Sequence, residues 1–328
     1  MLATPCLAAF QGGGTCLSLA LRSELKLRLS LAADPADIAE PLISMRAKSS
    51  AVKVAYADGG SQGIVGFLIQ PFYNALQYRE LIRVVLGREL HQRFRASYFG
   101  WIWSVATPLL MLLVFVTVFS NTFKVESGPE MSFALSMFIG LLFFNLFAEL
   151  VTRAPLLLSE HAHFIKKSIF PSEILAWTSL LRSLTYAGIG FVIFLIFELY
   201  IRGSIPLSAL LFPLILIPLF LFLLGIVWLL AALGAFTRDI AFMIASIMPV
   251  VIFATPVFYT TLNAPLPERL LSYINPLAPF IEMGREVMLL GRMPDLVSYG
   301  VAWVIALFFF YAGYAFFMRF RSVVVDVI

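Results

Sequence analysis

Charge is scarce in this sequence. Of its 328 residues only 13% are Asp, Glu, Lys or Arg, while 61% are hydrophobic and the mean hydropathy is +0.93. Soluble domains carry about 25% charged residues, and a fold in water must cover its surface with polar groups, so this balance excludes a water-soluble protein. Cysteine is scarcer still. Cys6 and Cys16 stand near the N-terminus with no metal-like or redox-like spacing, which excludes a disulfide framework or a cysteine metal site. No GxxxxGK[ST] loop is present and no glycine precedes a lysine, so the chain is not expected to hydrolyse ATP itself. His161 and His163 form an HAH triplet without an HExxH pattern or a carboxylate ligand set, and no GxSxG elbow occurs. No catalytic residue, bound cofactor or metal is expected in this chain.

What is present are long unbroken apolar runs, which point to membrane-spanning helices rather than a barrel of alternating ten-residue strands. Six spans are expected, at about 100–120, 133–153, 174–200, 208–235, 240–260 and 296–318. The fifth run contains Pro249 and Pro256. Between the last two runs, 261–295 is rich in proline and holds short apolar pieces such as 277–290. These fit re-entrant or interfacial helices. The expected fold class is therefore an all-α integral membrane protein.

Residues 1–70 differ in composition and are expected to form a poorly ordered extension ahead of a permease domain at 71–328. Met1–Phe10 lacks the basic stretch of a secretory signal peptide. Residues 72–97 alternate Leu81, Val84, Val85 and Phe94 with Arg79, Arg83, Arg88, Arg93 and Arg95. That is a basic amphipathic helix suited to a membrane interface. The pI near 9.1 thus reflects residues that flank apolar runs and face anionic lipid, not nucleic acid. Lys and Arg divide eleven to five between the two sides, which places both termini in the cytoplasm.

Several residues stand out. The connection Arg153–Glu173, bracketed by Pro155 and Pro171, holds Lys166 and Lys167 and suits either a lever for a cytosolic partner or a lipid anchor. Glu149 and Arg153 share a helix face at a spacing that allows pairing, and Arg182 lies inside the third span, to snorkel or to face a wet cavity. Phe115, Phe119 and Phe123 repeat every four residues on the first span, and Phe143 and Phe147 do so on the second. Phe253, Phe258 and Tyr259 cluster near the outer end of the fifth. Such rings can stack on sugars along a polymer track. Lipid contact and helix packing account for them as well.

Four segments in order carry a family resemblance: RELIRVVLGRELHQRFRASYFGWIWSVATPLL at 79–110, FIKKSIFPSEIL at 164–175, TRDIAFMIASIMPVVIFATPVFY at 237–259 and INPLAPFIEMGREVMLLG at 274–291. Together they resemble the permease subunit of ABC type-2 polysaccharide exporters, which move O-antigen, capsule or teichoic-acid polymers. The resemblance implies a homodimer in the bacterial inner membrane with two copies of a separate ATPase subunit that bind ATP and Mg. It implies a lipid-linked polysaccharide, O-antigen-like, as the transported partner. Coupling to the ATPase would fall to Arg88, Arg93, Arg95, His163, Phe164, Lys166, Lys167, Phe170, Pro171 and Glu173. The pore would be lined by Phe115, Phe119, Phe143, Phe147, Phe253, Phe258 and Tyr259, and gated outside by Asn275, Pro276, Glu282 and Arg285.

Two other functions remain open on the residues alone. One is a permease for a drug or lipid. The other is an integral glycosyltransferase or polymerase, for which Glu282, Arg285 and Glu286 are the candidate groups, although mutual pairing explains all three.

Overall fold

The computed structural model describes residues 64–92, 98–122, 130–167, 170–261 and 265–327, and among them every regular element is helical. The expected extension lies almost wholly outside the described residues. Its last part is helical: α1, Ile64–Gln77, runs through Pro71. The single basic helix expected at 72–97 is divided between α1 and α2, Arg79–Gln92. The hydrogen-bond ladder carries through the junction, with Tyr78 N donating to Asn74 O at 3.0 Å and Ile82 N to Tyr78 O at 2.9 Å. Arg93 and Arg95 lie outside the described residues.

The long apolar helices are α3 (Ile102–Thr122), α4 (Glu130–Arg153), α7 (Ile174–Arg202), α8 (Phe212–Phe236), α9 (Asp239–Ala254) and α12 (Leu296–Val327). The connection after α4 is a tight turn at Ala154–Leu156 followed by two short helices, α5 (Leu157–Glu160) and α6 (Ala162–Lys167). Between α9 and α12 come α10 (Leu266–Ile274), α11 (Ala278–Arg285) and a π-helical turn at Glu286–Leu290. Among the described residues, four segments are long and apolar enough to cross a membrane: Phe133–Glu160, Ile174–Arg202, Leu207–Phe236 and Leu296–Arg321.

Helix α9 is shorter than the sequence reading, which carried it through Pro256 to residue 260. It ends at Ala254 because the residue before a proline disfavours helical backbone, and Thr255 is extended at φ −98°, ψ 138°. Its 16 residues span about 24 Å, less than the roughly 30 Å of a hydrocarbon core. Helix α7 ends where Gly203 takes a left-handed φ of 71° and returns its N–H to Leu199 O. A side chain would be strained there.

The core is built on the pair α8 and α12. In lipid, helices gain from close van der Waals packing, and small residues permit it. A Cβ on Gly225 would overlap the backbone of Phe309, and one on Gly313 would overlap the backbone of Gly225. Further along α8, Gly234 lies against the backbone of Pro155 in the turn after α4. Around this contact the rings interlock. Trp228 meets Phe310 and Tyr314 edge-on at 5.3 and 5.0 Å, and Phe222 lies between Phe280 and Phe309. Helix α1 is held against the same cluster, with Phe72 stacked on Phe310 and Phe67 against Tyr314.

Gly313→Ala should force α8 and α12 apart and destabilise the protein by about 1–3 kcal/mol, as overpacking does. Gly300→Ala on the same helix, with open space around it, should be near neutral. Thermal unfolding of both variants in one detergent checks this, and equal melting temperatures would contradict the packing assigned here.

Candidate functional site

Two polar clusters lie far apart along α4. Ser136 belongs to one and Glu149 to the other, and at 1.5 Å per residue α4 separates them by about 20 Å.

The first cluster joins α2, the connection after α4, and the spans. On α2 the buried stripe is Ile82, Val85 and Glu89. The sequence reading placed Val84 on the apolar face, but it is 70% exposed. The carboxylate of Glu89 reaches His161 Nε2 at 3.2 Å and Arg182 Nε at 3.4 Å, and Arg182 Nη2 lies 3.3 Å from Glu149 Oε1. The side chains of Glu89 and Arg182 are only 5% and 4% exposed. Arg182 therefore neither snorkels nor stands alone. A buried guanidinium is tolerable only with opposite charge beside it, and two carboxylates from two helices supply it.

The expected Glu149–Arg153 pair does not form. Glu149 is drawn to Arg182. Arg153, at the end of α4, instead reaches Glu160 Oε2 at 2.7 Å, because the turn at Pro155 folds α5 back toward it.

His161 holds α6 and α5 in place. Its Nδ1 lies 2.9 Å from Leu157 O and its Nε2 faces the Glu89 carboxylate. Both neighbours are acceptors, so the imidazolium, with two N–H donors, satisfies both. Burial alone would lower its pKa. The contacts with Glu89 and Leu157 O and the charges of Glu89 and Glu160 outweigh that and raise it above the ordinary value.

Glu173, expected as a coupling residue, is buried. Its Oε1 accepts from Asn74 Nδ2 at 3.2 Å, and its Oε2 lies 3.3 Å from Arg321 Nη1. Its backbone carbonyl accepts from Trp228 Nε1 at 3.1 Å. The residue thereby ties the connection to α1, α8 and α12. Phe170 and Pro171 are buried with it. Arg88 and His163 are exposed. The side chains of Phe164, Lys166 and Lys167 lie outside the described residues, although all three are on α6.

The second cluster surrounds Arg285. Its guanidinium donates to Ser136 O (3.1 Å), Tyr259 O (2.9 Å) and Val257 O (2.7 Å), and to Glu282 Oε1 at 3.3 Å. Glu282 Oε1 also accepts from the N–H and hydroxyl of Thr261 at 2.9 and 3.0 Å. Gly140 makes room for this, since a Cβ there would sit 2.9 Å from Arg285 Nη2. Asn275 donates to Thr255 Oγ1 (2.8 Å) and Ala254 O (3.2 Å), and its Oδ1 accepts from Leu277 N across Pro276. These residues join α4, the end of α9, α10 and α11 into one unit. Both Glu282 and Arg285 are held by structural bonds, as mutual pairing on α11 led one to expect.

The expected ring track divides. Phe143 is buried edge-on to Phe212 at 5.9 Å, and Phe147 stacks on Phe222 at 6.4 Å. Phe143 is buried in this packing, while Phe147 stays half-buried. Phe253 is 69% exposed and touches Phe258 at 5.8 Å. Tyr259 is tied through its hydroxyl to Ser272 and the Glu268 carbonyl. The rings of Phe115 and Phe119, on α3, lie outside the described residues.

Sequence reasoning missed Glu89, Asn74, Trp228 and Arg321. Glu89 had a signal: it continues the Ile82–Val85 stripe at a spacing of four, which puts a carboxylate on a buried face. The partners of Glu173 are distant in sequence and left no local signal.

Protonated His161 stabilises the fold. That contribution is complete below the ordinary histidine pKa of about 6.5 and disappears as pH rises through the raised folded value. The melting temperature of the wild type should therefore exceed that of His161→Gln most at acid pH, and the gap should close in alkali. A pH-independent gap would show that His161 stays neutral.

Comparison with known proteins follows these same segments. Residues 80–289, most of the chain, match the ABC-2 type transporter family. A relative from Myxococcus xanthus, named O-antigen export system permease protein RfbA, is 26% identical over 221 residues, 67% of this chain and 84% of its own length. A relative of the same name from Klebsiella pneumoniae is 26% identical over 224 residues, with the same coverage of both chains. With its apolar helices and no strand among the described residues, this is a multi-pass membrane protein, and it belongs to the ABC-2 type transporter family.

Proposed function

We propose that this chain is the membrane subunit of an ATP-driven exporter that moves a lipid-linked, O-antigen-like polysaccharide from the cytoplasm across the bacterial inner membrane. In this reading α3, α4, α7, α8, α9 and α12 are six spans, α10 and α11 are re-entrant, and both termini are cytoplasmic. Two copies form the pore, and two ATPase subunits carrying ATP and Mg dock on α2 and α6. Residues 1–70 are an extension outside the permease domain at 71–328.

The observation that carries the reading is the Glu89 bridge. An ATPase pushing on α2 or α6 would act on a rigid body, because Glu89 joins α2 to His161 before α6 and to Arg182 in α7. Arg182 passes the link to α4 through Glu149. Exposed Arg88 and His163, with Arg93, Arg95, Phe164, Lys166 and Lys167, form the docking face. Phe170, Pro171 and Glu173 hold it to the bundle. The names of the relatives support a polysaccharide as cargo. The exposed Phe253, with Phe115, Phe119, Phe258 and Tyr259, supplies rings for the path. Asn275, Pro276, Glu282 and Arg285 brace its outer end.

Co-expression with an ATPase encoded beside this gene should yield a two-plus-two complex whose ATP hydrolysis in lipid responds to a lipid-linked glycan. Reversing the charge of Lys166 and Lys167 together should abolish that response and export. A permease that purifies alone, or a double variant with normal stimulation and export, would overturn the proposal.

A further inference from the structure

Glu198 lies near the end of α7, about 30 Å along the helix from Arg182, and is fully buried. Among the described residues neither of its carboxylate oxygens has a partner within hydrogen-bond distance. The cation beside it is Arg202, whose Nη1 lies 3.7 Å from Oε1. A buried carboxylate is costly without such a charge. Arg202 is the last residue of α7, and its Nη1 also donates to the carbonyl of Leu289. Leu289 belongs to the π-helical turn that follows α11. Such turns are rare and are frequent at functional sites. A helix leaves its last four carbonyls without partners of its own. Here Glu286 O accepts from Gly291 N, and from Arg292 N at 3.1 Å. Two of the following carbonyls are taken by side chains from the corner between α7 and α8. Ser208 Oγ donates to Val287 O at 2.6 Å, and Arg202 donates to Leu289 O. Gly291 then turns the chain at φ 67°, where a Cβ would touch Pro206 of the same corner at 3.5 Å.

We infer that the corner between α7 and α8 is a latch on the π-helical turn, with Arg202 as its positioning residue. Arg202 and Ser208 supply bonds that the turn's own backbone lacks, so the turn keeps its place while the corner holds it. Glu198 sets Arg202 for this task. The Arg202 side chain is 33% exposed, and without Glu198 its guanidinium would turn to water. Helix α11 itself is fixed elsewhere, by Arg285 on Ser136, Val257 and Tyr259. The turn can therefore open from α7 while α11 stays folded. In the proposed exporter this segment braces the outer end of the path, and release of the latch lets the cargo leave. That use rests on the exporter reading, whereas the latch itself does not.

The test is amide hydrogen exchange on the full-length chain in nanodiscs, without ATPase or glycan, so a failed exporter reading does not bear on it. Exchange at Gly291 and Arg292, the amides bonded to Glu286 O, reports opening of the turn. Arg202→Gln should speed it at least about tenfold, the scale of one charge-assisted hydrogen bond. Exchange within α11 should stay at the wild-type rate. Arg202→Lys keeps a positive charge beside Glu198 and an N–H donor, and should restore most of the protection. Glu198→Gln should speed the same two amides without lowering the melting temperature, because Arg202 can reach water; this guards against a folding artefact. Unchanged exchange in Arg202→Gln, an equal loss in Arg202→Lys, or a rise that runs through α11 as well would overturn the latch. Unchanged exchange in Glu198→Gln alone would overturn the role given to Glu198.

Discussion

The cost of holding the Arg182 guanidinium out of water organises this end of the molecule. At 4% exposure a lone positive charge would be untenable, and removing one partner of such a buried pair typically costs about 3–5 kcal/mol. The charge is met from two directions, by Glu149 on α4 and by Glu89 on α2. Because Glu89 also contacts His161, one guanidinium fixes the relation of α2, the connection after α4, and two spans. An apolar contact between these elements would slide with little loss. Charged groups in a low-dielectric setting have few alternative arrangements, so in the proposed exporter motion of α2 would carry the spans with it.

The same logic recurs at the other end with Arg285, satisfied by three backbone carbonyls and Glu282. Between the two clusters the bundle relies on shape. Gly225 and Gly313 bring α8 and α12 into backbone contact, and the aromatic rings around Trp228 and Phe222 fill the remaining volume. Helix α9 is the exception, since only Ile244 among its 16 residues is buried in the protomer. Met248, Val251 and Ile252 pack partly on the core, while Phe242, Met243, Ile247, Val250 and Phe253 are exposed, a surface the proposed dimer would use.

Much of the fold was legible from apolar run length. The expected spans at 133–153 and 174–200 agree with α4 and α7 to within about three residues, because few structures besides a spanning helix tolerate such runs. Pro256 was misjudged as internal to a helix, although its effect on Thr255 is a local rule. The site was less legible. Glu173 was assigned to ATPase coupling by resemblance alone, and the distant Arg321 and Asn74 that hold it inside have no mark in the local pattern. Phe143 and Phe147 were read as a track because in a membrane helix every face is apolar, so periodicity no longer separates core from surface. Glu89 was overlooked among arginines, with Val84 grouped on the wrong face.

The rigid link through Glu89 is the central claim, and transport per ATP hydrolysed tests it most directly. In the reconstituted complex, Glu89→Gln should keep hydrolysis near the wild-type rate while glycan moved per ATP falls at least about tenfold, since the loss of a buried pair exceeds the 1.4 kcal/mol of one decade. An unchanged ratio of glycan moved to ATP hydrolysed, in a variant that folds and binds its ATPase, would contradict the account.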